Sequence, residues 1–350
     1  MAVAPELATP STPLPTLSPS SLEQYLLLVL SDSNLPTGGF VASSGLESWV
    51  QHGYAALQAD ASAPSTSTPP PPPSSTLPGP EGPLLGFVRH SLHSYARLNV
   101  PLLCAAHQAV SSVSPPYPPS SAHPAKLPTP TDSTFQIALS SLVSTDALCE
   151  ALTLNHVARR ASIAQGIALL TLYERAFSPP PSTAGQDAVR DLVAAYRTKV
   201  RKGEDGACGH MSVAFAVLTA AVGVSLDSAL PLFLFLHARS LLSSAVRLNI
   251  VGPYLAHRML LWDLKPLVDE AVAETAPRIE ERRAEETGGE AEGADDKVSG
   301  DWWDNDPAWK GIWDAGASEK DDERGPVTTW PLGEIVASRH DQLFSKVFNS

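Results

Sequence analysis

The chain of 350 residues lacks several features that mark common functions. It contains no GK[ST] tripeptide, so the lysine and hydroxyl of a phosphate-binding P-loop are missing. Basic residues form no stripe, which argues against nucleic-acid binding. The three cysteines form neither a CxxC pair nor an even set for disulfide bonds. The first twenty residues show no secretory signal pattern. We therefore expect a protein of a reducing compartment, the cytoplasm.

Charge is also scarce over most of the chain, although the net charge is −13. Residues 269–324 hold 19 Asp and Glu against 7 Lys and Arg, so the remainder is close to neutral. The 33 prolines cluster in a few tracts. Such segments bury too little apolar surface to fold. We predict a disordered tail over 1–20, Pro/Ser-rich linkers over 60–82, 113–131 and 178–186, and a mostly disordered acidic, Trp-containing insertion over 276–330.

The rest of the sequence shows helical periodicity. Within 21–275, apolar residues recur every three or four positions, and no succession of alternating strands occurs. This pattern predicts a single all-α domain of about eight to ten helices. The most apolar stretch, 211–236, is long enough to raise the question of a membrane span. Asp227 and Pro231 within it favour two buried helices instead.

Capping and breaking residues predict individual helix boundaries. Ser144-Thr145-Asp146 is a good capping triplet, so we expect a break near 144–146 in the long helical region 133–177. Further helices are predicted over 44–57 and from Pro253 to about 275. The amphipathic pattern of 332–347 predicts a helix in the C-terminal segment 331–350, suited to binding a partner.

Residues 26–50 are the most locally specified part of the chain. An apolar run ends at Leu30, and Pro36, Gly38, Gly39 and Gly45 follow closely. Glycine reaches positive φ and proline fixes φ, so this pattern predicts an elbow between two helices. It has neither the spacing of a phosphate loop nor the GxSxG of a serine hydrolase. We interpret it as a structural elbow whose surface is used.

Few residues offer catalytic or metal-binding chemistry. Ser43 or Ser44 with His52 would be the pair of a small helical hydrolase. Cys208 and His210 offer a thiolate and an imidazole, donors that suit Ni, Cu or Zn. No third ligand has a recognisable spacing to this pair, so we predict no metal site, and the two residues remain candidates only.

Three other features of the sequence indicate close packing or interfaces. Gly166 lies inside a predicted helix, where it lowers helix propensity by about 1 kcal/mol relative to Ala, so we expect a close helix approach there. Arg159 and Arg160 form either a solvated face or an interface. Near the C-terminus, Phe344 is a candidate apolar anchor.

Three separate stretches resemble the UreF family of urease accessory proteins. LSDSNLPTGGFVASSGLE (30–47) is similar to the family's apolar helix, Leu-Pro-x-Gly-Gly-aromatic turn and Ser-x-Gly-Leu-Glu helix start. VARRASIAQGIALL (157–170) resembles its Arg-containing central helix, and PLGEIVASRHDQLFSKVFNS (331–350) its Ser-x-Arg-His tail. The proline tracts and the acidic insertion depart from the compact bacterial pattern, which we interpret as a eukaryotic member of fungal type.

The resemblance implies an all-α protein that dimerises, is not an enzyme and binds no cofactor tightly. Members bind a second accessory protein, UreD (also called UreH), and recruit the GTPase UreG, and the complex handles nickel for apo-urease. No nucleic-acid or membrane partner is expected. The partner-binding residues expected by this resemblance and by position are Pro36, Gly38, Gly39, Phe40, Ser44, Gly45, Glu47, Arg159, Arg160, Ser338, Arg339, His340 and Phe344.

Three other classes of function stay open at the level of sequence. The first is the small hydrolase that would use Ser43 or Ser44. The second is a generic helical interaction scaffold without a link to nickel. The third is a direct nickel carrier that would use Cys208 and His210.

Overall fold

The computed structural model describes residues 19–54, 82–113, 132–178, 187–275 and 326–349. Within these ranges the chain forms eleven α-helices and no strand, which confirms the all-α prediction. The predicted N-terminal tail, the linkers and most of the acidic insertion lie outside the described residues.

The helices are, in chain order, α1 Pro19–Leu30, α2 Leu46–Gln51, α3 Pro83–Ser111, α4 Asp132–Leu152, α5 His156–Leu172, α6 Asp187–Lys202, α7 Met211–Ala221, α8 Leu226–Arg247, α9 Pro253–Trp262, α10 264–275 and α11 Pro331–Ser338. Short 3-10 turns occupy Gly39–Val41, Glu204–Gly206 and Arg339–Gln342, and a π turn occupies Tyr173–Phe177.

Helix α7 is the centre of the hydrophobic core. Every residue from Ser212 to Ala221 is buried. A helix that is apolar on all sides is stable only when it is enclosed. Helices α3 and α5 pack along α7, α4 packs on α3, and α8 contacts both α3 and α7. The enclosed helix therefore fixes the relative positions of α3, α5 and α8. Helix α11 packs on α5, and the turn Gly39–Val41 packs on α8.

Helix α8 is, among the described residues, the one helix long and apolar enough to cross a membrane by length and composition. In this fold, 56% of its most apolar window is buried inside the protein. The prediction that 211–236 contains two helices is confirmed, because α7 ends at Ala221 and α8 begins at Leu226.

Gly166 allows the loop before α7 to approach α5 closely. A Cβ at this position would overlap the carbonyl oxygen of Gly209 and lie 2.9 Å from that of His210. The close approach expected from Gly166 is confirmed, although its neighbour is the backbone of a loop and not a second helix.

We expect Gly166→Ala to lower the free energy of unfolding by about 1–3 kcal/mol, because the loop backbone must shift to admit the methyl group. Denaturant unfolding followed by circular dichroism measures the change. Gly86→Ala in α3 is the matched control, since no atom lies within 4 Å of its added Cβ. Equal stability of the two variants would contradict the packing role of Gly166.

The break expected near 144–146 is wrong, because α4 continues through it to Leu152. The side chain of Asp146 caps another segment, residues 208–210, by accepting hydrogen bonds from their backbone N–H groups. The chain breaks instead at 153–155. There the side chain of Asn155 accepts hydrogen bonds from Val157 N and Ala158 N and caps α5.

Two more predicted helices differ in extent. The helix expected from Pro253 to about 275 is divided at Asp263, since Pro266 has no N–H to bond the carbonyl of Trp262. Helix α2 is shorter than the predicted 44–57. It lies between Gly45 and Gly53, both of which have positive φ.

The predicted C-terminal helix over 332–347 is wrong beyond Gln342. Helix α11 ends at Ser338, a 3-10 turn follows to Gln342, and Leu343 is extended. The backbone N–H groups of Val347 and Phe348 bond the side chain of Glu47 and not a helical carbonyl. Tertiary contacts therefore replace the helix over the last residues of 331–350.

Pro101 alters the hydrogen bonding of α3 without ending the helix. Because proline has no N–H, the carbonyl of Arg97 loses its usual helical partner. Val327 N donates to this carbonyl at 3.4 Å, and Thr329 N donates to Ser94 Oγ at 3.1 Å. The proline thus provides an acceptor on α3 for the segment that leads into α11.

Candidate functional site

The elbow, residues 31–47, and the tail, residues 331–349, lie side by side against α2 and the start of α5. Helix α11 packs on both helices. Asn349 N donates to Val41 O at 2.8 Å, and Ser48 Oγ donates to Val336 O at 2.5 Å. Asn155 Nδ2 donates to Glu334 O at 3.1 Å. Stretches that are far apart in sequence therefore form one continuous region, here called the elbow–tail surface.

Glu47 is the buried anchor of the tail. Its side chain and that of His340 are completely buried. His340 Nε2 donates to Glu47 Oε2 at 3.0 Å, and Val347 N and Phe348 N donate to the same carboxylate at 2.6 and 3.1 Å. A buried carboxylate requires such partners, because its desolvation is otherwise very unfavourable. The sequence placed Glu47 and His340 among the partner contacts, whereas the structure gives them a positioning role inside the protein.

The elbow glycines serve both conformation and packing. Gly38 and Gly45 have φ values of 72° and 84°, in the left-handed region that favours glycine. A Cβ at Gly45 would also lie 2.8 Å from the Cβ of Ala337 in α11. The elbow path and the close seating of the tail therefore depend on the same residue, Gly45.

Arg160 connects α5 to the tail. Its guanidinium makes two hydrogen bonds to Asp341, at 3.0 and 2.9 Å, and a third to Asn349 O at 3.3 Å. His156 Nε2 lies 3.2 Å from Asp341 Oδ2. The hydrogen bond from Arg160 lowers the pKa of Asp341 to about 2. The bidentate geometry fixes the orientation of the tail relative to α5.

This ion pair gives the tail a pH dependence at the acid end. The folded-state pKa of Asp341 lies below its unfolded value of roughly 3.9, so its stabilisation is present above about pH 4 and is lost as the pH falls towards 2. We expect Asp341→Asn to be less stable than the wild type by about 0.5–1 kcal/mol at neutral pH, since the pair is partly exposed. Denaturant unfolding at successive pH values should show this difference shrinking below pH 4. Asp269→Asn, in an exposed pair with Lys265, is the control. A difference independent of pH would contradict the assignment.

Apolar side chains of the elbow–tail surface point into solvent. Phe344 is fully exposed, and Phe40 is 65% exposed. Ile335 and Val347 on the tail are exposed as well. Exposed apolar groups that cluster on one surface mark interaction sites more often than scattered single residues do. The polar anchors Glu47 and His340 thus lie inside the protein, and the apolar side chains of Phe40 and Phe344 lie outside.

The predicted site residues differ in exposure. Arg159 does not face the tail, since its Nε donates to Thr153 O and its Nη1 lies 3.3 Å from Glu150. Ser338 Oγ donates to Ile335 O within α11. Those that are exposed are Pro36, Phe40, Ser44, Arg160, Arg339 and Phe344; those that are half-buried are Gly38, Gly39, Arg159 and Ser338; those that are buried are Gly45, Glu47 and His340.

Sequence reasoning missed two residues that hold the surface together. Asp341 is not among the predicted contact residues, although it bonds Arg160. Arg247 donates to Phe40 O, and its guanidinium lies 4.2 Å from the ring centroid of Phe348. Nothing in the local sequence around Arg247 connects it to either phenylalanine.

The hydrolase alternative lacks its base in this structure. His52 Nδ1 donates to Ser48 O at 2.8 Å and lies 3.4 Å from Ser48 Oγ. Ser43 is buried, and Ser44 is exposed with a φ of 50°. The imidazole is thus directed to Ser48 and does not pair with either predicted nucleophile.

A cavity of about 290 Å³ lies beneath the elbow, with α3, α5, α8 and α11 around it. In its lining, the ring of Tyr95 stacks on His237 with centroids 3.9 Å apart, and Ser91 Oγ lies 3.1 Å from His237 Nε2. Burial lowers the pKa of His237 to about 4. An imidazole of such low pKa is a weak base at neutral pH, so this serine–histidine contact is not poised for proton abstraction.

A second polar cluster lies where the loop before α7 meets α4. His210 Nε2 lies 2.9 Å from Glu150 Oε2, and Cys208 is near both. Burial, with a smaller effect of the neighbouring carboxylates Glu150 and Asp146, raises the pKa of the Cys208 thiol. The sequence singled out Cys208 and His210, whereas Glu150 was missed because it lies on another helix.

Comparisons with known proteins agree on one family. The sequence model of the UreF family matches residues 81–262. A urease accessory protein 6 of Cryptococcus neoformans var. grubii is 36% identical over 351 residues, which cover 96% of this chain and 99% of that protein. A urease accessory protein F of rice is 27% identical over 250 residues, or 71% of this chain and 69% of that protein. The corresponding protein of Arabidopsis thaliana is 26% identical over 234 residues, or 67% and 72%.

Proposed function

Because the chain belongs to the UreF family of urease accessory proteins, which act in urease maturation and are not enzymes, we propose that it is a scaffold of that process. In this proposal the elbow–tail surface binds a UreD/UreH-type accessory protein. The resulting complex recruits a UreG-type GTPase for the insertion of nickel into apo-urease. Nickel is then the cargo of the complex.

The observation that carries the proposal is the convergence of the elbow, the start of α5 and the tail. The three stretches that resemble the family in sequence meet through Glu47 with His340 and through Arg160 with Asp341. If these residues served only to stabilise the fold, the burial of Glu47 and His340 would be explained. The exposure of Phe344 and Phe40 would not be explained. A binding surface accounts for both.

Pre-organisation supports a tight complex. The carboxylate of Glu47 and the guanidinium of Arg160 order the tail before any partner arrives, which reduces the entropy lost on binding. Exposed aromatic and Arg side chains are the residue types that dominate binding energy at interfaces. Phe40, Phe344 and Arg339 are therefore the residues proposed to contact the UreD/UreH-type protein directly.

The GTPase step belongs to a partner in this proposal. The chain has no GK[ST] tripeptide, so a UreG-type protein would supply the nucleotide chemistry.

A homodimer would present two copies of the docking surface. Helix α9 supports a dimer contact, since its exposed apolar residues include Tyr254, Leu261 and Trp262. We propose the cytoplasm as the place of action, in keeping with three cysteines that form neither a CxxC pair nor an even set in the sequence.

Charge placed on the surface should abolish the complex. We expect the double variant Phe40→Asp/Phe344→Asp to bind the cognate UreD/UreH-type protein about a thousandfold more weakly, because two hot-spot contacts of about 2 kcal/mol each are lost. Co-expression with the cognate accessory proteins, followed by size-exclusion chromatography with light scattering, measures binding and stoichiometry. Two copies of this chain are expected in the complex.

Ile137→Asp is the matched control, because Ile137 is an exposed apolar residue of α4, away from this surface. Circular dichroism should show equal helix content in all variants. Undiminished co-elution of the double variant would refute the proposed surface. A complex with unrelated helical proteins, and no change of urease activity on gene deletion, would favour the generic scaffold.

A further inference from the structure

We propose that Glu150, Cys208 and His210 form a binding site for one divalent transition metal of the late first row. This site lies apart from the Glu47–His340 anchor of the tail, and its existence does not rest on the proposed docking function. Within the part of the chain that the structure describes, it is the one group of three or more His, Cys, Asp or Glu side chains close enough to hold an ion.

The three donor atoms are near the spacing that a metal requires. The thiol sulfur, an imidazole nitrogen and a carboxylate oxygen all lie within 4.8 Å of one another, and His210 Nε2 is 2.9 Å from Glu150 Oε2. Metal–ligand distances of about 2.0–2.3 Å place tetrahedral donors roughly 3.3–3.8 Å apart. Small side-chain rotations of Glu150 and Cys208 therefore suffice, and a fourth position stays open.

The backbone that carries two of the donors is held rigidly. The buried carboxylate of Asp146 accepts hydrogen bonds from the N–H groups of Cys208 at 2.8 Å, Gly209 at 2.6 Å and His210 at 2.8 Å. Gly209 has a φ of 79°, which permits this tight loop. A loop fixed in this way pre-organises the thiol and the imidazole before an ion binds.

Neighbouring side chains orient the remaining donors. Ser162 Oγ lies 3.1 Å from His210 Nδ1, which leaves Nε2 directed towards Glu150. Arg159 Nη1 lies 3.3 Å from Glu150 Oε1, which leaves Oε2 for the ion. Metal-binding histidines and carboxylates are commonly oriented by such outer partners.

The charge of this cluster and its access to solvent also suit the binding of a divalent ion. The negative charges of Glu150, Asp146 and a Cys208 thiolate would balance a divalent ion together with Arg159. His210 is completely buried, whereas the side chain of Glu150 is 32% exposed. The site is therefore closed on one side and reachable from solvent on the other.

The donor set determines the class of ion. A thiolate and an imidazole with one carboxylate suit Zn²⁺, Ni²⁺ or Co²⁺, whereas Mg²⁺ and Ca²⁺ prefer oxygen donors only. Cys208 is the residue that separates these two classes of ion, and its side chain is not fully buried, which makes it a suitable position for substitution.

Metal titration of the untagged full-length chain tests the site. We expect one Co²⁺ per chain with a near-ultraviolet thiolate-to-metal band, and one Ni²⁺ per chain by calorimetry. Cys208→Ser should abolish the band, and Glu150→Gln should weaken Ni²⁺ binding about tenfold or more. Cys149→Ser and His257→Ala are matched controls at a buried cysteine and an exposed histidine outside the site, and both should bind as the wild type does.

Ser162→Ala gives a test that spares every ligand, and we expect about a tenfold loss of affinity from the lost orientation of His210. Absence of the thiolate band in the wild type, or its persistence in Cys208→Ser, would overturn the proposal. Cys208→Ser should still co-elute with the UreD/UreH-type protein, so failure of the metal site and failure of the docking surface are distinguishable.

Discussion

The Glu47→Ala variant is expected to lose about 3–5 kcal/mol of folding stability and to release the tail from the elbow. The substitution removes the acceptor of three hydrogen bonds from His340, Val347 and Phe348. It leaves a buried imidazole and two backbone N–H groups without their partner, which is more unfavourable than the absence of the whole network. No other carboxylate of the described chain holds the tail in this way.

Limited trypsin digestion and denaturant unfolding measure this effect. Release of the tail should speed cleavage after Lys346, and co-purification with the UreD/UreH-type protein should fail. Glu270→Ala is the control, since Glu270 is an exposed partner of Arg89, and we expect it to change stability by less than about 1 kcal/mol. A double-mutant cycle with His340→Ala should show strong coupling. A tail that remains protease-resistant in Glu47→Ala would contradict its role as the anchor.

The second large loss of folding stability is expected when Asp146 is substituted. Asp146→Ala removes the acceptor of three backbone hydrogen bonds, two of them buried, just before α7, the central helix of the core. Each N–H group left unsatisfied costs about 1–3 kcal/mol, so a loss of about 3 kcal/mol or more is expected. The loop carrying Cys208 and His210 should also lose its fixed geometry, and Co²⁺ binding should weaken.

Asp146→Asn separates the hydrogen-bonding role from the size of the side chain. Asn keeps one carbonyl oxygen but presents an NH₂ group to the remaining N–H donors, so an intermediate loss of stability is expected. Thermal and denaturant unfolding measure the stability of the wild type, Asp146→Ala and Asp146→Asn. Asp227→Ala, at an exposed carboxylate in the first turn of α8, is the control. Wild-type stability of Asp146→Ala would show that the three hydrogen bonds contribute little.

Local features of the fold were predictable from sequence, whereas long-range pairs were not. The periodicity of apolar residues predicts the helices, and the glycine pattern predicts the elbow, where Gly38 and Gly45 do adopt positive φ. The pairing of Glu47 with His340 joins residues 293 positions apart, and no local pattern connects them. Their burial was therefore unforeseen, because glutamate is almost never fully buried unless it is paired, and the pair could not be predicted.

Asp146 shows why boundaries were harder to predict than elements. A Ser-Thr-Asp triplet favours capping, and Asp146 is in fact a cap. It caps a loop 62 to 64 positions away and not its own helix. Sequence indicates that such a side chain seeks backbone N–H groups, but only the fold decides which ones it finds. Glu150 is a similar case, because the fold and not its local sequence brings it close to Cys208 and His210.

The anchored tail behaves as a tethered ligand of its own protein. Residues 276–325 connect it to α10, and the tail then returns to the elbow near the other end of the sequence. Loop-closure entropy grows only with the logarithm of length, so doubling such a connection costs about 0.6 kcal/mol. The stabilisation by the contacts of Glu47, about 3–5 kcal/mol, exceeds this cost. We therefore expect that a longer acidic insertion leaves the tail docked, because its effective concentration near the elbow falls only slowly with length.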